Sequence, residues 1–175
     1  VDTTLPSPDW RLIWQDEFDG SEIDSAKWSH AVDCDGGGNQ EQQCYTENAE
    51  NSFVSEGMLN IVAMPNTDES LSKDYTSARL SSKMKGDWTY GRFEIRAKLP
   101  AGQGSFPAAW MMPTDDTYGG WPHSGEIDIV ESVNLKVAAE ASSPESHVYG
   151  TLHYGDSWPD NRESGAPYLL PNDAN

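Results

Sequence analysis

The stretch from Gly125 to Ser132 reads GEIDIVES and places three carboxylates within six residues. The residues between the acids are β-branched aliphatics, which favour extended backbone, and no proline interrupts them. The stretch therefore predicts a β-strand that carries acids. Because side chains alternate along a strand, Glu126 and Asp128 point to one face, whereas Glu131 points to the other.

One extra residue would change the face of Glu131. A β-bulge at Ile129 or Val130 places two residues opposite one and returns Glu131 to the face of Glu126 and Asp128. Like charges on one face destabilise a sheet by roughly 0.2–1 kcal/mol per directly opposed pair, so we interpret the cluster as functional rather than as a solvated strand face. Retaining glycoside hydrolysis needs such acids, because one carboxylate attacks and a second carboxyl, about 5–5.5 Å away, donates a proton.

The octapeptide resembles the signature of glycoside hydrolase family 16, in the spacing of its laminarinases (endo-1,3-β-glucanases). Lichenases of the family have one residue fewer between the last two acids. The resemblance implies that Glu126 is the nucleophile, Asp128 its helper and Glu131 the general acid/base. It implies a retaining enzyme that cleaves internal β-1,3 bonds. The alternatives are the same fold acting on mixed-linkage glucan or agarose, and a non-catalytic glucan-binding protein.

The resemblance extends over nearly all of residues 10–170 and implies an all-β fold, a β-jelly-roll sandwich of two antiparallel sheets with a concave cleft. We interpret residues 1–9, with their Thr, Ser and Pro, as a leader or linker, and residues 10–175 as the catalytic domain. Domains of the family are longer than this chain. We therefore expect the C-terminal part to be missing, and a second fragment or a swapped partner to complete the fold; a cut or partly recorded chain is the alternative.

Further strands are predicted along the chain by alternation of polar and apolar residues, by turn residues and by likeness to family strands. A hairpin is expected around Glu56 and Gly57, and a strand beside the acid-bearing one is expected at 148–155. The predicted strands are residues 10–18, 51–54, 58–64, 75–80, 91–98, a buried strand within 105–113, and 148–155.

The resemblance also identifies candidate substrate-binding residues. Amide side chains suit sugar hydroxyls because each amide both donates and accepts hydrogen bonds, and tryptophan rings stack on the C–H faces of sugars. The alternatives are a polar surface loop for the amides, a solvated arginine, core packing for the tryptophans and a structural role for the histidine. The candidates are Asn39, Gln43, Arg79, Trp110, Trp121 and His153.

Catalysis by two carboxyls needs no cofactor. Members of the family often hold a structural calcium through a turn and two acids, and Gly57 and Glu17 match the first two positions. The third position has no counterpart in this chain. A structural calcium at Glu17 and Gly57 is therefore the single metal site that the resemblance suggests.

Charge and composition restrict the partners. Eleven basic residues against 29 acidic ones give a net charge of −18, which disfavours nucleic acid, anionic lipid and sulfated polysaccharide. A neutral β-glucan fits this charge, and no apolar run approaches the roughly 20 residues that span a membrane. Cys34 and Cys44 flank a Gly-rich loop and form either a disulfide or two free thiols. The disulfide is compatible with secretion, so we expect an extracellular or periplasmic protein.

Overall fold

The computed structural model describes residues 10–137 and 146–171 of the chain. Residues 1–9, interpreted above as a leader or linker, lie outside this part. The described residues form eleven strands and one 3-10 turn at Gly36–Gly38, as expected for an all-β protein. They contain no helix that is long and apolar enough to cross a membrane. The chain divides into two compact units, Val1–Thr89 and Tyr90–Asn175.

The first unit contains three small sheets. Strands β2 and β6 pair in parallel, and the other pairs are antiparallel. The sheet orders are β1-β7, β2-β6-β5 and β3-β4. The strands are β1 Ser29–His30, β2 Gln43–Tyr45, β3 Ser52–Ser55, β4 Met58–Ile61, β5 Met64–Pro65, β6 Tyr75–Ser77 and β7 Leu80–Ser81.

The predicted hairpin is present between β3 and β4. Ser55 pairs with Met58, so Glu56 and Gly57 form a two-residue loop. Both have positive φ, 53° and 69°, which is the pattern of the type I′ turn that suits the twist of a hairpin. The hairpin prediction is confirmed, although the strand predicted at 58–64 is interrupted after Ile61.

The interior of the first unit is partly polar. Asn51 is 1% exposed; its Oδ1 accepts from the Thr46 hydroxyl at 2.7 Å, and its Nδ2 donates to the Val62 carbonyl at 3.0 Å and to Thr76 Oγ1 at 3.1 Å. Next to this cluster, fully buried Cys44 forms a disulfide with Cys34. The disulfide, rather than two free thiols, is therefore the correct alternative.

The second unit contains one antiparallel sheet in the order β11-β10-β9-β8. Its strands are β8 Ala108–Met111, β9 Glu126–Glu131, β10 His147–Gly155 and β11 Asn161–Leu169. Strand β9 is the predicted acid-bearing strand, and β10 lies beside it as expected. Strand β11 was not predicted, because its sequence does not alternate and contains Pro167. Within the described sheet β11 pairs only with β10, and a strand at such an edge tolerates proline.

Several strand predictions are wrong in position or extent. Residues 10–18 and 91–98 belong to no strand, and residues 91–98 are exposed. Alternation describes side chains, but a strand also needs a partner for its backbone groups, and no described segment pairs with either stretch. The strand predicted at 75–80 is divided into β6 and β7, and the predicted buried strand is β8, which is only half-buried.

Candidate active site

The pairing of β9 with β10 confirms the predicted bulge. Tyr149 lies opposite Glu131, and Thr151 lies opposite Asp128. Two steps along β10 therefore correspond to three steps along β9. Because Tyr149 and Thr151 are two residues apart, they share a face. Their partners Glu131 and Asp128 share it as well.

The pairing of β9 with β8 identifies the extra residue. Val130 lies opposite Ala109, and Asp128 lies opposite Trp110, so Ile129 has no counterpart on β8. A bulge at Ile129 is one of the two positions predicted from the sequence. It brings all three acids to one face of the sheet, and it places Trp110 on that face opposite Asp128.

Asp128 is the most buried of the three acids, with 4% of its surface exposed. Its Oδ2 forms an ion-pair contact with His153 Nε2 at 3.1 Å, and no described residue gives Oδ2 a well-aligned hydrogen bond. His153 Nδ1 is also buried without a hydrogen-bond partner in this part of the chain. The sheet explains why the Asp128 and His153 side chains meet. His153 on β10 pairs with Glu126, which lies two residues before Asp128 and shares its face.

Glu126 is held from the side by a tryptophan. The indole N–H of Trp121 donates to Glu126 Oε2 at 2.5 Å. The Trp121 ring lies 6.0 Å from the His153 ring, centroid to centroid. Trp121 remains 45% exposed, so its ring can still contact a ligand while its nitrogen stabilises the carboxylate.

All three acids have raised pKa values for related reasons. Burial is the largest cause in each case. For Glu126, the Trp121 hydrogen bond offsets part of the rise in pKa, and the negative charge of Asp128 adds to the rise. The charge of Glu131 adds to the effect on Asp128, and the charge of Glu126 adds to the effect on Glu131, whereas His153 acts in the opposite direction on all three.

These surroundings distinguish the two glutamates. Glu126 has a hydrogen-bond donor that favours its ionised form. Among the causes that act on Glu131 there is no such donor, only burial and Glu126 against His153. The Trp121 hydrogen bond therefore opposes the rise of the Glu126 pKa, and no hydrogen-bond donor opposes the rise of the Glu131 pKa.

The amide candidates belong to the first unit and converge on one carboxylate. Glu41 accepts hydrogen bonds from Gln43 Nε2 at 2.5 Å, Asn39 Nδ2 at 3.3 Å and the Tyr45 hydroxyl at 3.3 Å. Burial raises the pKa of Tyr45, Glu41 adds to this effect, and the positive charge of Arg79 opposes it. Glu41 was not among the candidates predicted from the sequence. Its position between the amides of Gln40 and Gln42 could have indicated that it accepts hydrogen bonds from this loop.

The proposed calcium residues are also in the first unit. Gly57 occupies the β3–β4 turn, and Glu17 is exposed. Among residues 10–137 and 146–171, three or more ligating side chains of His, Cys, Asp or Glu come together only at Glu126, Asp128 and His153. The calcium site at Glu17 and Gly57 stays a prediction.

Carboxyl groups that share one face of a sheet suit glycoside hydrolysis, which uses a pair of Asp or Glu side chains. Comparison with known proteins identifies the family. The family model described as "XgeA-like, catalytic GH16 domain" matches residues 34–148. The chain belongs to glycoside hydrolase family 16.

Relatives and solved structures agree with this assignment. The chain is 47% identical to a beta-glucanase of Rhodothermus marinus and 42% identical to glucan endo-1,3-beta-glucosidase A1 of Niallia circulans, over 87% and 91% of its own length. It spans 51% and 24% of those two proteins. It matches the structure of the Rhodothermus marinus laminarinase with a TM-score of 0.81 and 43% identity, over 95% of this chain and 64% of that one. The chain therefore has the β-jelly-roll fold of the family.

Proposed function

We propose that the chain is the catalytic part of a retaining endo-glycosidase that hydrolyses internal β-1,3 bonds of laminarin-like glucans. The bulge at Ile129 is the observation that carries the proposal, because it gives Glu126, Asp128 and Glu131 a common face. The names of the relatives support the 1,3-glucan substrate. The net charge of −18 favours a neutral glycan over a sulfated one.

The first displacement begins with an ionised Glu126. Its carboxylate attacks the anomeric carbon while Glu131 donates its proton to the departing glycosidic oxygen. A glycosyl ester forms on Glu126, and the shortened glucan leaves as an alcohol. Trp121 holds Glu126 Oε2 in place for this attack.

The second displacement uses Glu131 as a base. The charge of Glu126 contributes to the raised pKa of Glu131, and this charge disappears when Glu126 becomes an ester. The pKa of Glu131 therefore falls after the first step, which suits its change from acid to base. Glu131 takes a proton from water, the water attacks the anomeric carbon, and Glu126 leaves with overall retention of configuration.

Buried Asp128 acts next to the nucleophile. Its negative charge raises the pKa of Glu126. An ionised Asp128 thus makes the Glu126 carboxylate more basic and more reactive. Asp128 is the helper that tunes the nucleophile rather than a group that attacks.

We also propose that the protein acts outside the cytoplasm and holds a structural calcium through Glu17 and Gly57. The Cys34–Cys44 disulfide supports the first proposal, because disulfides persist in oxidising compartments. An unchanged melting temperature after chelation would contradict the second.

The deciding experiment separates the two glutamates by chemical rescue. Glu126→Ala and Glu131→Ala are assayed on an aryl β-laminaribioside, with and without sodium azide. We expect Glu126→Ala to lose about 10⁴-fold or more in kcat, and azide to restore turnover with an α-glycosyl azide product. Glu131→Ala should keep the first step on this activated substrate, and azide should give the β-glycosyl azide.

Glu94→Gln is the control, because Glu94 is an exposed acid of the same unit that pairs with Arg92. It should hydrolyse laminarin at the parent rate. Near-parent turnover by Glu126→Ala, or the same azide anomer from both variants, would overturn the assignment. Product analysis on laminarin, mixed-linkage glucan and agarose tests the substrate independently of the roles.

A further inference from the structure

We propose that Glu126, Asp128 and His153 form a binding site for a zinc ion, and that zinc bound there inhibits the enzyme. The zinc site is defined by these three side chains. Its existence depends on their geometry alone, whereas the inhibition rests on the proposed function.

The three side chains are nearly arranged as metal ligands. One ligating atom from each lies within 4.8 Å of the other two. Ligands of tetrahedral zinc, at 2.0–2.2 Å from the ion, are separated by about 3.4 Å. The 3.1 Å between His153 Nε2 and Asp128 Oδ2 is close to this value. The Glu126 carboxylate would supply the third ligand, and a fourth position would remain for water.

An unsatisfied atom provides the second, independent argument. Asp128 is 96% buried, and its Oδ2 has the ion-pair contact with His153 but no well-aligned hydrogen bond from any described residue. A buried carboxylate oxygen without a donor costs free energy. A cation between Oδ2 and Nε2 removes this cost, and it also offsets the mutual repulsion of the acids.

The donor set selects the type of ion. Calcium and magnesium prefer oxygen ligands, whereas an imidazole nitrogen together with carboxylates suits zinc. Zinc on Glu126 occupies the oxygen that would attack the anomeric carbon. Inhibition should therefore be reversed by a chelator, and added calcium or magnesium should not reproduce it.

The test measures binding directly on the full chain. Isothermal titration with zinc chloride at pH 7, in a buffer without phosphate, gives stoichiometry and affinity. We expect one ion per chain, and an affinity that falls about tenfold or more in His153→Asn. His123→Asn is the matched control, since His123 lies in the same unit and contacts Ser157 instead of an acid.

Spectroscopy identifies the ligands without reference to activity. Cobalt substituted for zinc should give the intense visible bands of a tetrahedral site with the parent chain and not with His153→Asn. An unchanged affinity in His153→Asn, or an equal loss in His123→Asn, would overturn the zinc site. Binding of one zinc ion without inhibition of laminarin hydrolysis would retain the site and refute the inhibition, and a chain that binds zinc but does not hydrolyse laminarin would refute the proposed function alone.

Discussion

Asn51 in the first unit and Asp128 in the second are both buried polar residues, but their surroundings differ. Asn51 is 1% exposed, and its amide has three hydrogen bonds to neighbouring groups. Asp128 is 4% exposed, carries an acid, and has an Oδ2 without a hydrogen bond among the described residues. The first arrangement satisfies the buried group, and the second leaves one carboxylate oxygen without a well-aligned hydrogen bond.

The difference teaches how to recognise a functional polar residue. Buried polar groups are nearly always hydrogen-bonded, because an unsatisfied one costs about 1–3 kcal/mol. A buried acid that is unsatisfied, with a raised pKa and other acids nearby, is a candidate for chemistry. The contrast predicts that changes at Asn51 affect stability and changes at Asp128 affect turnover.

The largest effect is expected at Asn51. Replacement with alanine leaves Thr46, Thr76 and the Val62 carbonyl without their partner, so Asn51→Ala should lower the free energy of unfolding by about 3 kcal/mol. Urea denaturation measures the change. Asn60→Ala is the control, because Asn60 is only half-buried and makes two hydrogen bonds that are themselves exposed. Equal losses of stability in both variants would contradict the role given to burial.

The next effect concerns turnover at Asp128. Asp128→Asn preserves the size of the side chain but removes the charge that raises the pKa of Glu126. We expect kcat on laminarin to fall about a hundredfold, because Glu126 then becomes a less basic nucleophile. Steady-state kinetics at several pH values measures the effect, and an unchanged kcat would show that Asp128 is structural like Asn51.

Stability should respond to pH with opposite signs at two aspartates. Burial, and then the charge of Glu131, raises the pKa of Asp128. A raised carboxyl pKa contributes stability below the unfolded value, and this stability is lost as pH rises through the folded value. Asp128→Asn should therefore raise the melting temperature at neutral pH, and the gain should disappear below the ordinary pKa of aspartate.

Asp68 provides the matched case with the opposite sign. Hydrogen bonds from Ser70 lower its pKa, so its contribution is present above the unfolded pKa and is lost as pH falls. Asp68→Asn should lower the melting temperature slightly at neutral pH and have no effect in acid. Calorimetry of both variants from about pH 3 to pH 8 follows the two transitions. A shift of the same sign in both would contradict the assigned causes.

The smallest effect is expected at Glu41, which positions Asn39 and Gln43 through hydrogen bonds. Glu41→Ala should raise KM for laminarin about three- to tenfold with kcat nearly unchanged, since one or two hydrogen bonds of about 1 kcal/mol each orient the amides. Glu41→Gln keeps acceptor oxygen at the same place and should restore part of the affinity. A fall in kcat with constant KM would show that Glu41 acts in the chemical step.

Part of this site was predictable from local sequence. Three acids with β-branched residues between them define a strand, and their spacing requires a bulge if they are to share a face. The turn at Glu56 and Gly57 was predictable mainly from Gly57, because glycine tolerates the positive φ of its position, whereas Glu56 adopts a positive φ that is uncommon for a residue with a side chain. Residues 10–18 and 91–98 have the same kind of pattern and yet form no strand, since the pattern does not name a pairing partner.

The sequence by itself determined the all-β class, the acid-bearing strand, the disulfide as one of two alternatives and the residues available for catalysis. Only the tertiary structure decided that Ile129 is the extra residue, that Trp121 binds Glu126 and that His153 faces Asp128. The physical reason is that alternation and turn preferences act between neighbours along the chain. Strand register, burial and pKa depend on residues that are distant in sequence and meet only in the folded sheet.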